Sequence, residues 1–89
     1  MQSKFIQDNE FEPSMTVLKR IVKSLSENSF MGRPRLSQSA NVHYHVLLKY
    51  LRWMEDRRYI ESVVEDGKAV TRLTCEGRNF GMKLFSLYE

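Results

Sequence analysis

Lys49 and Arg52 stand three residues apart, and His45 lies one helical turn before Lys49. On a helix these three share a face. Two cations at that spacing can meet neighbouring phosphates or the acceptor edge of a guanine together, and an imidazole beside them can donate or accept at a base or a phosphate. Tyr44 can pack, or offer its hydroxyl to a phosphate. Arg33 and Arg35 flank Pro34, a residue suited to a first helical turn, where free backbone amides also favour an anion. Lys68 follows an Asp-Gly pair and would sit at the tip of a hairpin. All of this is polyanion-binding chemistry.

Other chemistries find little support. His43 and His45 are two apart, with Cys75 as the one further soft ligand, so no zinc-type ligand set forms. Cys75 falls in the first turn of an expected packing helix, a poor place for a nucleophile paired with a histidine. No pair of carboxylates is arranged for general acid–base work. Gly32, Gly67, Gly77 and Gly81 never cluster into a phosphate-cradling loop. The sequence therefore predicts a protein that is not an enzyme, needs no cofactor and takes no small-molecule substrate.

Charge points the same way. Fourteen Lys and Arg oppose eleven Asp and Glu, giving +3. Residues 1–12 hold Asp8, Glu10 and Glu12 against Lys4; the remainder, 13–89, carries 13 basic and 8 acidic residues, or +5. A folded part with that excess attracts polyanions. With 89 residues there is room for one domain. No apolar run reaches the roughly 18 residues of a membrane span, the N-terminus lacks the apolar core of a secretory signal, and a single cysteine makes no internal disulfide. These features predict a soluble intracellular protein with no membrane partner.

The elements that must position these groups follow from periodicity. Residues 1–12 read as a flexible tail in which only Phe5, Ile6 and Phe11 could pack. A domain over 13–89 follows. Pro13 and Ser14 open a helix over 14–27, with Met15, Leu18, Val22 and Leu25 as its stripe and Val17 and Ile21 widening it. Residues 28–35 read as a connection. A short helix over 34–40 buries Leu36 and Ala40, and Asn41 suits the left-handed turn after it. A third helix runs over 43–57; Val42, Leu47, Leu51 and Met54 fit a buried stripe, with Tyr50 beside it.

A hairpin over 59–74 is marked by Asp66-Gly67. With that pair as the loop, Ile60, Leu73, Val64 and Ala69 make an apolar face. Glu61 then meets Arg72 and Glu65 meets Lys68, and a slip of one residue destroys both patterns. Thr74 caps a last helix over 75–88, with Phe80, Leu84, Leu87 and Tyr88 in one stripe and Met82 and Phe85 off it. Gly77 and Gly81, four apart, would let another helix approach.

The order is helix, helix, turn, helix, hairpin, helix: an α+β, mainly helical chain. Its residues resemble the winged helix-turn-helix DNA-binding proteins, most closely the small archaeal winged-helix regulators. The resemblance rests on A-N-V-x-Y at 40–44, L-x-x-Y-L at 47–51, the Y-I at the start of the first strand and L-T-x-x-G-R at 73–78. It covers about 35–89 well and the first helix more loosely. It implies a three-helix core, a two-stranded wing and a C-terminal helix. It also implies double-stranded DNA as partner, transcriptional regulation or a chromatin-type role, a homodimer, and a cytoplasmic, nucleoid-associated location. The third helix would then be the recognition helix. The resemblance makes Arg33, Arg35, Tyr44, His45, Leu48, Lys49, Arg52 and Lys68 the DNA-facing set. Some archaeal members end in a long coiled coil, whereas here about 15 residues follow Thr74 without sustained heptads. A dimer would have to use Met82, Phe85 and Tyr88 of the short last helix, alone or together with the N-terminal tail.

A second reading uses the same fold as a protein–protein interaction module. It draws on Val46 and Leu48, which can meet thymine methyls or a protein, on the acids flanking Lys68, and on the surplus apolar residues of the last helix. Several cations have structural uses instead: Arg72 pairs with Glu61, and Arg57 and Arg58 close the third helix. Trp53 is expected to pack beside the hairpin. RNA is disfavoured because no aromatic platform lies on the strands.

Overall fold

Ser14 begins the first helix by accepting a hydrogen bond from the Val17 amide on its side chain, at 3.4 Å. In the computed structural model, which describes residues 11–87, α1 runs Met15–Asn28, α2 Arg33–Ala40 and α3 Tyr44–Asp56. Strands β1, Ile60–Glu65, and β2, Lys68–Leu73, form one antiparallel hairpin, and α4 spans Cys75–Leu87.

One core joins them. Leu18, Ile21, Val22 and Leu25 of α1 meet Leu36 and Ala40 of α2. Leu47, Tyr50, Leu51 and Met54 of α3, with Met31, Val42, Ile60, Leu73 and Leu84, complete it. Met15 does not join its expected stripe and remains 43 % exposed. It lies at the edge of that stripe in the first turn, and the buried face begins one turn later at Leu18. Phe11, one of the residues of the tail that could pack, does so. The Phe11 ring stands edge-on to Tyr50 at 5.0 Å, and the Tyr50 hydroxyl accepts the Ser14 amide at 2.9 Å. The expectations for residues 1–10, for the side chain of Leu87 and for Tyr88 lie outside the described residues.

The α1–α2 connection does more than join helices. Met31 is buried and exchanges two backbone hydrogen bonds with Thr71 of β2, at 2.9 and 2.8 Å. This single bridge pairs part of the outer edge of β2 and ties the base of the hairpin to the first two helices. Asn41, at φ 57° and ψ 53°, closes α2 with its amide turned back on Gln38 and Ser37, and α3 starts three residues later. That short turn is the helix-turn-helix.

The hairpin pairs Ile60 with Leu73, Glu61 with Arg72, Val64 with Ala69 and Glu65 with Lys68, the register that the alternation predicts. Asp66 and Gly67 take φ 53° and 75°, the left-handed pair of a type I′ turn. Arg72 Nε donates to Glu61 at 2.7 Å. The apolar face is buried only at its base. Ile60, Thr71 and Leu73 are covered, while Val64 is 74 % exposed and Ala69 is exposed too. The far half of the hairpin projects beyond the helices.

Thr74 accepts the Gly77 amide at 3.0 Å and starts α4. The two glycines have different partners. A Cβ on Gly81 would stand 2.7 Å from Val22 Cγ1, so this is the point where α4 meets α1. A Cβ on Gly77 would fall 1.9 Å from the Tyr59 carbonyl oxygen, so Gly77 admits the start of the hairpin and no helix.

Candidate nucleic-acid interface

The buried side of α3 is set by Leu47, Tyr50, Leu51 and Met54. Helical geometry turns His45, Lys49 and Arg52 to the opposite side, one turn after another. All three are exposed, as is Tyr44. Leu48, on the flank of that face, is half-buried, and Val46 is half-buried and packed on the core. Leu48 thus offers only part of its side chain, and Val46 still less, to any partner. His43 and His45 lie with rings nearly parallel, centroids 5.9 Å apart. His43 stands at the N-cap position and makes no side-chain cap bond, so the first amides of α3 are left without that partner.

The face has a polarity. Glu55 and Asp56 close its C-terminal turn and are exposed. Positive charge is therefore concentrated in the first ten residues of the helix. Arg33 and Arg35 lie in the first turn of α2, which holds no acidic residue, and both are exposed. Among the described residues no carboxylate pairs with Arg33, Arg35, Lys49, Arg52 or Lys68. Their charges are available to an outside anion. Lys68 is exposed at the start of β2, opposite Glu65 and two residues after Asp66. The wing tip carries two acids for its one lysine.

Arg72 is taken by Glu61. The Arg57 guanidinium lies 3.9 Å from the centre of the Trp53 ring and donates to the Trp53 carbonyl, so it closes the helix. Trp53 packs near the base of the hairpin, with Tyr59 and Phe80 at 6.1 and 6.2 Å. Tyr59 and Phe80 stack face to face at 4.2 Å.

On α4, Met82 is 68 % exposed, whereas Phe85 is half-buried against the core with the Lys19 ammonium 5.2 Å from its ring. Phe85 therefore splits its surface between this chain and solvent. Both line an open groove of about 570 Å³ with Val22, Ser26, Arg78, Gly81 and Ser86. No three His, Cys, Asp or Glu side chains come together as a metal site among the described residues, and no described helix is long and apolar enough to cross a membrane.

The architecture is that of the winged helix. It matches Sso10a-2, a DNA-binding protein from Sulfolobus solfataricus, with TM-score 0.73 at 18 % identity, over 86 % of this chain and 79 % of that one. It also matches a MarR-family transcriptional regulator from Silicibacter pomeroyi, with TM-score 0.69 at 19 % identity, over 98 % of this chain and 63 % of that one. A third match is NadR in complex with 4-hydroxyphenylacetate, with TM-score 0.69 at 16 % identity. This chain spans less than two thirds of the length of the latter two, covering 61 % of NadR. No family model and no curated protein matches the sequence.

Two features escaped the sequence. The Met31–Thr71 bridge has no local pattern, because one residue pair creates no alternation. The Arg20 Nη1 to Asn41 carbonyl bond joins residues 21 apart and appears only when α1 lies against the helix-turn-helix.

Proposed function

We propose that this chain binds double-stranded DNA, with α3 in the major groove and the hairpin as wing. The observation that carries the reading is the exposed face of α3, where His45, Lys49 and Arg52 stand in successive turns with no described carboxylate partner. Arg33, Arg35, Lys49, Arg52 and Lys68 supply phosphate contacts and hence affinity. Tyr44, His45 and the exposed part of Leu48 supply base or backbone contacts that position the helix. The role is transcriptional regulation or chromatin-type binding in the cytoplasm, at the nucleoid.

The protein acts as a homodimer through α4, with Met82, the free side of Phe85 and Tyr88 at the contact. Two copies related by a two-fold axis would read half-sites about ten base pairs apart, or a multiple of that. The domain extends over residues 13–89, and the chemistry is binding rather than catalysis.

Replacing Lys49 and Arg52 together with alanine tests the assignment. Two lost phosphate contacts lower the slope of log affinity against log salt by about 1.8. Between 50 and 200 mM salt that alters the salt response by about twelvefold. An unchanged affinity and slope in a folded double variant would remove α3 from the interface. A protein-docking role for the same fold draws on exposed Val64 and the acidic wing tip. It predicts no duplex binding at any salt concentration.

A further inference from the structure

Arg20 lies on α1, outside the helix-turn-helix, and on sequence alone it is one of three cations on a solvated face. Its position is more specific than that. Its Nη1 donates to the Asn41 carbonyl at 3.3 Å, across 21 residues. Asn41 is the left-handed residue that ends α2, and its amide is turned inward on Gln38 and Ser37. One turn along α1, the Ser24 hydroxyl meets that of Ser39 on α2 at 2.8 Å. Arg20 and Ser24 thus form two rungs of one seam, and the Arg20 rung holds the turn from which α3 emerges.

The guanidinium is exposed, and among the described residues no carboxylate pairs with it. It carries five N–H donors in a fixed fork, one of which reaches Asn41. The residue is exposed and makes no other described bond, beside the turn that ends three residues before the start of α3. Lys23, three residues along the same helix, is exposed too but makes no described bond to the turn.

We infer that Arg20 belongs to the DNA interface as a phosphate contact, held in register by its bond to the helix-turn-helix turn. This rests on the DNA-binding reading and extends the footprint from α3 and the wing to α1. The Asn41 bond fixes the side chain before binding, so little rotamer freedom is lost when a phosphate arrives.

The test compares the wild-type chain with Arg20→Met, Arg20→Lys and Lys23→Met by fluorescence anisotropy on a labelled random duplex, at several salt concentrations. Methionine keeps the aliphatic stem and removes the charge, and circular dichroism melting checks that each variant is folded. Arg20→Met is expected to bind five- to tenfold more weakly at low salt, with a slope smaller by about 0.9. Arg20→Lys should recover the slope, and Lys23→Met should change affinity less than twofold. A purely structural role for Arg20 would lower the melting temperature and leave the slope alone, which overturns the inference. So does an equal loss in Lys23→Met, which means diffuse charge rather than a held contact. If the wild-type chain itself shows no salt-dependent binding, the DNA-binding reading falls and this extension falls with it.

Discussion

Gly77→Ala should loosen the wing from the body of the protein. An alanine Cβ would stand 1.9 Å from the Tyr59 carbonyl oxygen and 2.8 Å from its carbon. Ordinary contact needs about 3.5 Å, so α4 must retreat by about 1.5 Å from the start of β1. Three things are strained by that shift. The Thr74 amide bonds the same Tyr59 carbonyl at 3.0 Å, worth about 1 kcal/mol. The Tyr59–Phe80 stack at 4.2 Å contributes about 1 kcal/mol. Overpacking itself costs about 1–3 kcal/mol. Against these stands the helix preference of alanine over glycine, about 1 kcal/mol. The net loss is about 2–4 kcal/mol, which in a domain this small lowers the melting temperature by roughly 10–30 °C. Thermal unfolding followed by circular dichroism measures it. Gly81→Ala is the companion, since it meets one Val22 methyl instead of peptide backbone and should lose less. A Gly77→Ala melting temperature within about 3 °C of wild type would refute this account of how α4 and the hairpin are joined.

Asp66→Asn keeps a residue that accepts the left-handed turn and removes a negative charge beside Lys68. Melting should be nearly unchanged and duplex affinity should rise about two- to fivefold at low salt if the wing approaches phosphate; anisotropy reads the change. Met82→Glu places a charge on the exposed side of α4, so sedimentation should show monomer where the wild type is dimeric, with little loss of melting temperature. Tyr50→Phe removes the acceptor of the Ser14 amide and should cost about 1 kcal/mol in urea unfolding.

How far the fold can be read from the chain depends on whether its cause is local. The hairpin register was legible because Glu61–Arg72, Glu65–Lys68 and Ile60–Leu73 all agree on one alignment. Alternation says which face of a hairpin is apolar, but not how far the helices extend beneath it, so the exposure of Val64 could not be read. The spacing of Gly77 and Gly81 signalled close approach, yet a peptide group and a valine are equally good reasons for a glycine. In the candidate site, the exposure of His45, Lys49 and Arg52 follows from the buried stripe on the other side of α3. The Arg20–Asn41 bond does not follow, because it depends on the packing of two separate helices.

The central claim is a salt-dependent hold on the DNA backbone. It is tested most directly by titrating a labelled random duplex of about 30 base pairs with the wild-type protein, at salt concentrations from about 50 to 200 mM. The account predicts micromolar binding that weakens steeply as salt rises, with a slope equivalent to several released counterions. Absence of binding even at the lowest salt concentration would contradict it, and would leave α3 and the wing as surfaces for a protein partner.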